Sequence, residues 1–121
     1  MKVVVQNGAA HGLSRRDVES IVTLLPSSWS RFVAQITLYQ GTIPSVEIKF
    51  YPKKKILGMF WPTPPDSISK SQGLNELLLA LSVISERANL PSRLASSVRE
   101  KHLAEITPFL SRCLSVVENA A

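Results

Sequence analysis

Residues 46–61 read VEIKFYPKKKILGMFW, two strand-like segments on either side of three consecutive lysines. In the first segment apolar and polar residues alternate, which predicts a strand with one face in the core. The second segment, ILGMFW, is apolar on both faces, which predicts a central strand or one that another element covers. Residues 31–40, RFVAQITLYQ, alternate in the same way as the first segment. Together the three segments predict an antiparallel β-meander.

Other segments flank these three strands. Residues 2–6, KVVVQ, predict a short first strand. A helix follows, with Ser14 as its N-cap and Asp17 completing an acidic capping box. A Pro- and Ser-rich loop at residues 62–73 precedes two amphipathic helices, and Pro108 is expected to kink or split the second of them. We therefore predict one α+β domain, residues 1–121, of order β-α-β-β-β-α-α, with the two C-terminal helices packed on one sheet face.

Composition limits the class of protein. The chain has 121 residues, of which 45% are hydrophobic and 19% charged, as expected for one globular domain. Its single cysteine, Cys113, cannot form an internal disulfide, and no segment has the length of a signal peptide core or a membrane span. These features predict a cytoplasmic protein without a membrane partner. The net charge of +5 favours acidic partners.

The lysine turn is the first candidate binding site. Lys53, Lys54 and Lys55 would project from the end of the sheet, with Tyr51 and Trp61 as flanking aromatic residues. Basic loops beside exposed aromatic rings bind single-stranded nucleic acids. The alternative, which we favour, is an ordinary solvated hairpin turn, because lysines near strand ends also discourage edge-to-edge aggregation.

The loop after the first strand is a candidate anion site. Gly8 and Gly12 would allow close approach of a ligand to the backbone, and Arg15 and Arg16 would add charge at a helix N-terminus. Their spacing matches neither common phosphate-binding motif. A turn built from turn-forming residues is therefore the favoured interpretation.

The chain contains few residues that could support catalysis. Its histidines are His11, in the glycine loop, and His102, on the last helix. Cys113 follows His102 by 11 positions, which places them on one helix face but roughly 16 Å apart, too far for a nucleophile and its base. No spacing suits a zinc site. We predict no catalytic residue, no metal and no cofactor.

The order of helix, three strands and long helix resembles the core of zincin-type metalloproteases, whose long helix carries H-E-x-x-H. The corresponding segment here reads Asn75-Glu76-Leu77-Leu78-Leu79. The resemblance implies that Glu76 matches the general base, while Asn75 and Leu79 replace both histidine ligands. Such a relative would not bind the metal and would be catalytically inactive. Alternatively, an acidic residue near a helix start is ordinary capping chemistry.

In its whole-chain character the sequence also resembles the small proteins encoded by bacterial integron gene cassettes, which implies a compact α+β binding or accessory module that is often dimeric. Our leading hypothesis is such a module without catalytic activity, acting through a protein partner or small ligand. The alternatives are a degenerate zincin or small hydrolase, and a nucleic-acid-binding protein. A homodimer is predicted because the helices cover only one sheet face, which leaves outer residues of ILGMFW to be covered by the Pro-rich loop or by a second copy.

Overall fold

A computed structural model describes residues 1–6 and 8–119, the last two of these by their backbone only. Its strands are β1 (Lys2–Val5), β2 (Gln35–Gln40), β3 (Glu47–Tyr51) and β4 (Ile56–Trp61). Its helices are α1 (Arg15–Thr23), α2 (Lys70–Arg87) and α3 (Ser96–Asn119), with short 3-10 turns at Ser27–Ser30 and Pro65–Ser67. The predicted α+β class and element order are confirmed. Among the described helices, none is long and apolar enough to cross a membrane.

The sheet is mixed, with the strand order β1-β2-β4-β3. β1, β2 and β4 run parallel to one another, and only the edge strand β3 is antiparallel to its neighbour. The expected antiparallel meander is therefore wrong, because β2 and β3 do not pair and β4 lies between them. A connection of six residues, 41–46, is long enough to carry the chain past the position that β4 later fills. The prediction of a central position for ILGMFW is confirmed.

The register places one set of apolar residues from each strand on a common face, which forms the core side of the sheet. Ile36 pairs with Leu57 and Leu38 pairs with Met59, and all four side chains are fully buried. On the other side of β4, Ile48 and Phe50 pair with Met59 and Leu57 and pack against the same core. Buried residues of α1, α2 and α3 join this core, so all three helices lie on that face.

α1 begins where its capping residues predict, whereas α2 begins earlier than predicted from the sequence. The Ser14 side chain accepts a hydrogen bond from the Asp17 amide, and the Asp17 carboxylate accepts one from the Ser14 amide, as predicted. The same arrangement between Ser69 and Gln72 begins α2 at Lys70. Residues 70–73, predicted as loop, are therefore helical. Pro108 does not split α3, which is continuous from Ser96 to Asn119.

Candidate functional site

A cavity of about 470 Å³ lies along the free edge of β3. We call it the β3 groove. It is formed by β3, α2, the loop between α2 and α3, and the first turn of α3. Its lining residues are Val46, Glu47, Ile48, Lys49, Glu76, Leu79, Ala80, Leu90, Pro91, Ser92, Arg93, Leu94 and Arg99.

The groove borders the backbone of β3 rather than one of its faces. Ile48 belongs to the core face of the strand, while Glu47 and Lys49 belong to the opposite face, yet all three line the groove. Because residues of both faces contribute, the strand edge itself borders the cavity. Among the strands that the structure describes, β3 pairs only with β4, so the backbone donors and acceptors along its other edge have no partner in these strands.

The opposite wall of the groove is mainly apolar. α2 contributes Leu79 and Ala80, and the α2–α3 loop contributes Leu90, Pro91 and Leu94. This loop turns sharply at the end of α2 because Ala88 adopts a left-handed conformation, with φ of 56°, and Pro91 cannot continue a helix. The turn brings the loop back beside β3.

Charged residues line the groove mouth. Arg99 donates to Glu76 across α2 and α3, with an Nη2–Oε1 distance of 2.6 Å, and this hydrogen bond raises the pKa of Arg99. Both side chains are partly exposed, so the pair contributes little stability and mainly holds the two side chains in place. Arg93 is exposed and forms no ion pair within the described ranges 1–6 and 8–119.

The residues that carry the zincin resemblance meet this groove only in part. Glu76 lines it, but both of its carboxylate oxygens face Arg99, at 2.6 and 3.5 Å. Leu79 is buried, as an apolar residue on the core side of α2. With both oxygens directed at the guanidinium, the Glu76 carboxylate is not free to accept a proton from a substrate.

The lysine turn lies outside the groove. Residues 52–55 form the exposed turn between β3 and β4, and Lys55 has a positive φ of 54°. Tyr51 is 43% exposed and stands beside this turn. The expectation that Trp61 is an exposed aromatic residue near the turn is wrong, because Trp61 is 1% exposed and lies at the other end of β4.

Burial of Trp61 depends on two glycines. Its indole ring lies against Gly12 on the β1–α1 loop and Gly73 on α2, where a Cβ atom at either position would overlap the ring. The indole N–H donates to the Pro65 carbonyl at 2.7 Å, so its polar atom is satisfied. The faces of β4 could not be told apart in sequence, because both are apolar, and the structure directs Trp61 into the core.

The predicted anion site is not assembled as expected. The space beside Gly12 is occupied by Trp61, so this glycine serves packing rather than ligand approach. Gly8 is a turn residue with φ of 71°. Arg15 pairs with Glu19 on the exposed side of α1, and Arg16 borders a different, shallow cleft. The first turn of α1 is also capped by Ser14.

His11 is neutral in the folded protein. Its ring lies 4.7 Å from the Trp61 ring, centroid to centroid, and its Nδ1 atom lies 2.9 Å from the Leu13 carbonyl oxygen. Burial lowers the pKa of His11 from 6.5 to about 4, although hydrogen bonding to the backbone opposes the shift. The Nε2 atom is buried and has no hydrogen-bond partner in the described part of the chain.

This environment predicts acid sensitivity. Because the unfolded chain binds a proton near pH 6.5 and the folded chain only near 4, stability is complete above about pH 6.5 and is lost as the pH falls towards 4. Between pH 7 and pH 5 the loss attributable to His11 is expected to reach about 2 kcal/mol. Urea denaturation at both pH values, for the native chain and for His11→Gln, measures it. An equal pH dependence in both proteins would show that His11 does not titrate in this way.

Sequence reading missed a polar cluster between α2 and α3. His102 is fully buried, and its Nδ1 atom lies 2.8 Å from the Ser82 hydroxyl and 3.2 Å from a Glu105 carboxylate oxygen. Its Nε2 atom lies 2.7 Å from a Glu86 carboxylate oxygen, but without the alignment that a hydrogen bond requires. Lys101 binds Glu86 at 2.6 Å and thereby lowers the pKa of that carboxyl. Sequence patterns did not predict this contact because Ser82 and His102 are 20 residues apart.

The cluster has the residue types of a catalytic or metal site. Ser82 is 1% exposed, so its hydroxyl is closed to a substrate. Ligand atoms of Glu86, His102 and Glu105 lie within 4.8 Å of one another, close enough to surround one ion, and the two carboxylates approach opposite ring nitrogens of His102. In the folded chain the cluster joins α2 to α3. Cys113 is buried as predicted, and burial raises the pKa of its thiol.

Comparison with known proteins gives no relative: the chain matches no family model, no curated protein and no solved structure. The resemblances to zincins and to integron-cassette proteins stay predictions.

Proposed function

We propose that the protein is a binding module, without catalytic activity, that takes an extended segment of a partner protein in the β3 groove. The observation that carries this proposal is the position of the cavity along the unpaired edge of β3. An extended peptide added to such an edge forms main-chain hydrogen bonds with it, and pockets beside the edge read its alternate side chains.

The groove chemistry favours particular peptide side chains. Leu79 and Ala80 on α2, with Leu90 on the following loop, suit an apolar side chain that points away from solvent. Arg93 offers an exposed cation without an ion pair among the described residues, so an acidic side chain two positions further along the peptide is favoured. We therefore expect a ligand in which an acidic residue follows an apolar residue by two positions.

A small hydrolase is less consistent with the same groove. Glu76 lines the groove, but its carboxylate forms an ion pair with Arg99 and is therefore already engaged. The serine and histidine of the α2–α3 cluster are buried and closed to solvent. A binding function requires neither a free carboxylate at Glu76 nor a solvent-accessible serine and histidine.

Selection of linear peptides displayed on phage tests the proposal. We expect selection on the immobilised protein to enrich peptides in which an acidic residue follows an apolar residue by two positions. A synthetic peptide from that set should bind Arg93→Glu about tenfold more weakly than the native protein, because the substitution replaces an attraction with a repulsion. Fluorescence anisotropy measures both affinities.

Arg112→Glu is the matched control, since it makes the same charge change at an exposed position on α3 outside the groove. Its affinity for the peptide should equal that of the native protein. Amide hydrogen exchange should also slow at residues 46–49 when the peptide binds. If both arginine variants weaken binding equally and these amides stay unprotected, the peptide binds elsewhere and the proposal is wrong.

A further inference from the structure

The sheet face opposite the helices is a second surface with its own chemistry. It presents the outward residues of all four strands, and its apolar members Val4, Tyr39, Ile56 and Phe60 do not belong to the core. We call this face, together with the adjoining turn at residues 52–55, the open face. No described helix packs on it, because all three helices join the core on the other side.

The open face holds most of the net positive charge of the protein. Its lysines are Lys2, Lys49, Lys53, Lys54 and Lys55, and its acidic residue is Glu47. Five of the 14 basic residues and one of the nine acidic residues of the chain therefore lie here. They account for four of the five net charges, so the remaining surface is nearly neutral.

Aromatic residues interleave with these lysines. Tyr39 and Phe60 stack at 4.6 Å between ring centroids, above Gly58, where the missing side chain lets both rings lie close to the sheet. Lys49 is on the neighbouring strand β3, and its ammonium group lies 5.4 Å from the centroid of the Phe60 ring. Tyr51 is 43% exposed, stands between Lys49 and the lysine turn, and takes part in no ring stacking within the described residues.

We propose that the open face binds single-stranded nucleic acid, beside the β3 groove, with which it shares Glu47 and Lys49. A row of lysines along one sheet face neutralises successive phosphates, and an unstacked tyrosine among them accepts a base. Tyr51 is the residue assigned to stacking, since its ring is exposed. Phe60 is not, because Tyr39 covers one side of its ring and Lys49 lies over it.

Charge complementarity selects this occupant over a second copy of the chain. A two-fold dimer through the open face would place two surfaces of net charge +4 against each other, and the apolar area of the face would have to overcome that repulsion. A polyanion instead gains from every lysine and releases its counterions.

Fluorescein-labelled 15-mers of deoxythymidine and of uridine are the probes. We expect both to bind at 50 mM salt, and the logarithm of affinity to fall linearly with the logarithm of salt concentration. Replacing Lys53, Lys54 and Lys55 together with glutamine should reduce that slope by about 2, since each single-strand phosphate contact contributes roughly 0.7. The same triple variant should melt at nearly the native temperature, because the turn is exposed. Tyr51→Ala should weaken binding about 5- to 150-fold.

The charge-matched control replaces Lys70, Arg87 and Arg112 with glutamine, which removes three exposed cations from α2 and α3. It should retain the native slope. An equal reduction of the salt slope in both triple variants would mean that only the overall charge matters and would contradict the proposed site. So would an absence of binding to both probes at 50 mM salt, binding to anionic lipid vesicles alone, or a dimer in sedimentation that Phe60→Glu dissociates. Binding to one probe only would support the site and identify the sugar it prefers.

Discussion

Replacing Trp61 with alanine is expected to lower the free energy of unfolding by about 3–5 kcal/mol. The side chain is 1% exposed and fills the space between the β1–α1 loop and α2, so its loss leaves a large cavity that glycine neighbours cannot fill. It also leaves the Pro65 carbonyl without its donor. Urea denaturation measures the change. Tyr51→Ala, at an exposed position on β3, is the control and should cost less than about 1 kcal/mol.

The glycines in contact with Trp61 provide a second test of the same packing. Gly73→Ala adds a better helix former to α2, which alone would stabilise the protein by up to about 1 kcal/mol. The new methyl group would overlap the indole ring, so a net loss of about 1–3 kcal/mol is expected instead. In the Trp61→Phe background the smaller ring should relieve the overlap, and Gly73→Ala should become less costly or stabilising. If Gly73→Ala stabilises the otherwise native chain, the close packing of Trp61 against Gly73 is contradicted.

Leu81→Ala should cost about 2–5 kcal/mol, a large share of the roughly 5–15 kcal/mol that stabilises a domain of this size. Leu81 is fully buried in the middle of α2. Leu103→Ala, at a half-buried position on α3, should cost less and serves as the comparison. Both are measured by urea denaturation. A loss below about 1 kcal/mol for Leu81→Ala would show that this part of α2 does not face the core.

Much of the fold was predictable because its signals are local. Alternation in residues 46–50 and the helical stripe through Leu81 predicted which side of each segment faces the core, and both patterns arise within a few residues of chain. The Ser14–Asp17 capping box predicted the start of α1 for the same reason. The start of α2 was predictable too, since Ser69 and Gln72 have the capping-box spacing, but the prolines just before them indicated a loop.

The candidate sites were less accessible to sequence reading. The lysine turn was predicted as an exposed turn, and Tyr51 stands beside it as expected. The β3 groove was not predicted, since it exists only because β3 is an edge strand that the α2–α3 loop approaches. The cluster around His102 was missed because Ser82 and His102 are 20 residues apart and meet only when α2 packs on α3.

The amino-acid sequence by itself determined the elements, their order and the buried side of each amphipathic segment, because hydrophobic periodicity and capping act over a few residues. Only the tertiary structure decided that β4 lies between β2 and β3 and that Trp61 points inward. Strand pairing depends on long-range contacts, and a segment that is apolar on both faces, such as ILGMFW, contains no local signal for its core side. Gly12 and Gly73 come from distant parts of the chain, and their lack of side chains leaves room for the indole ring on the core face.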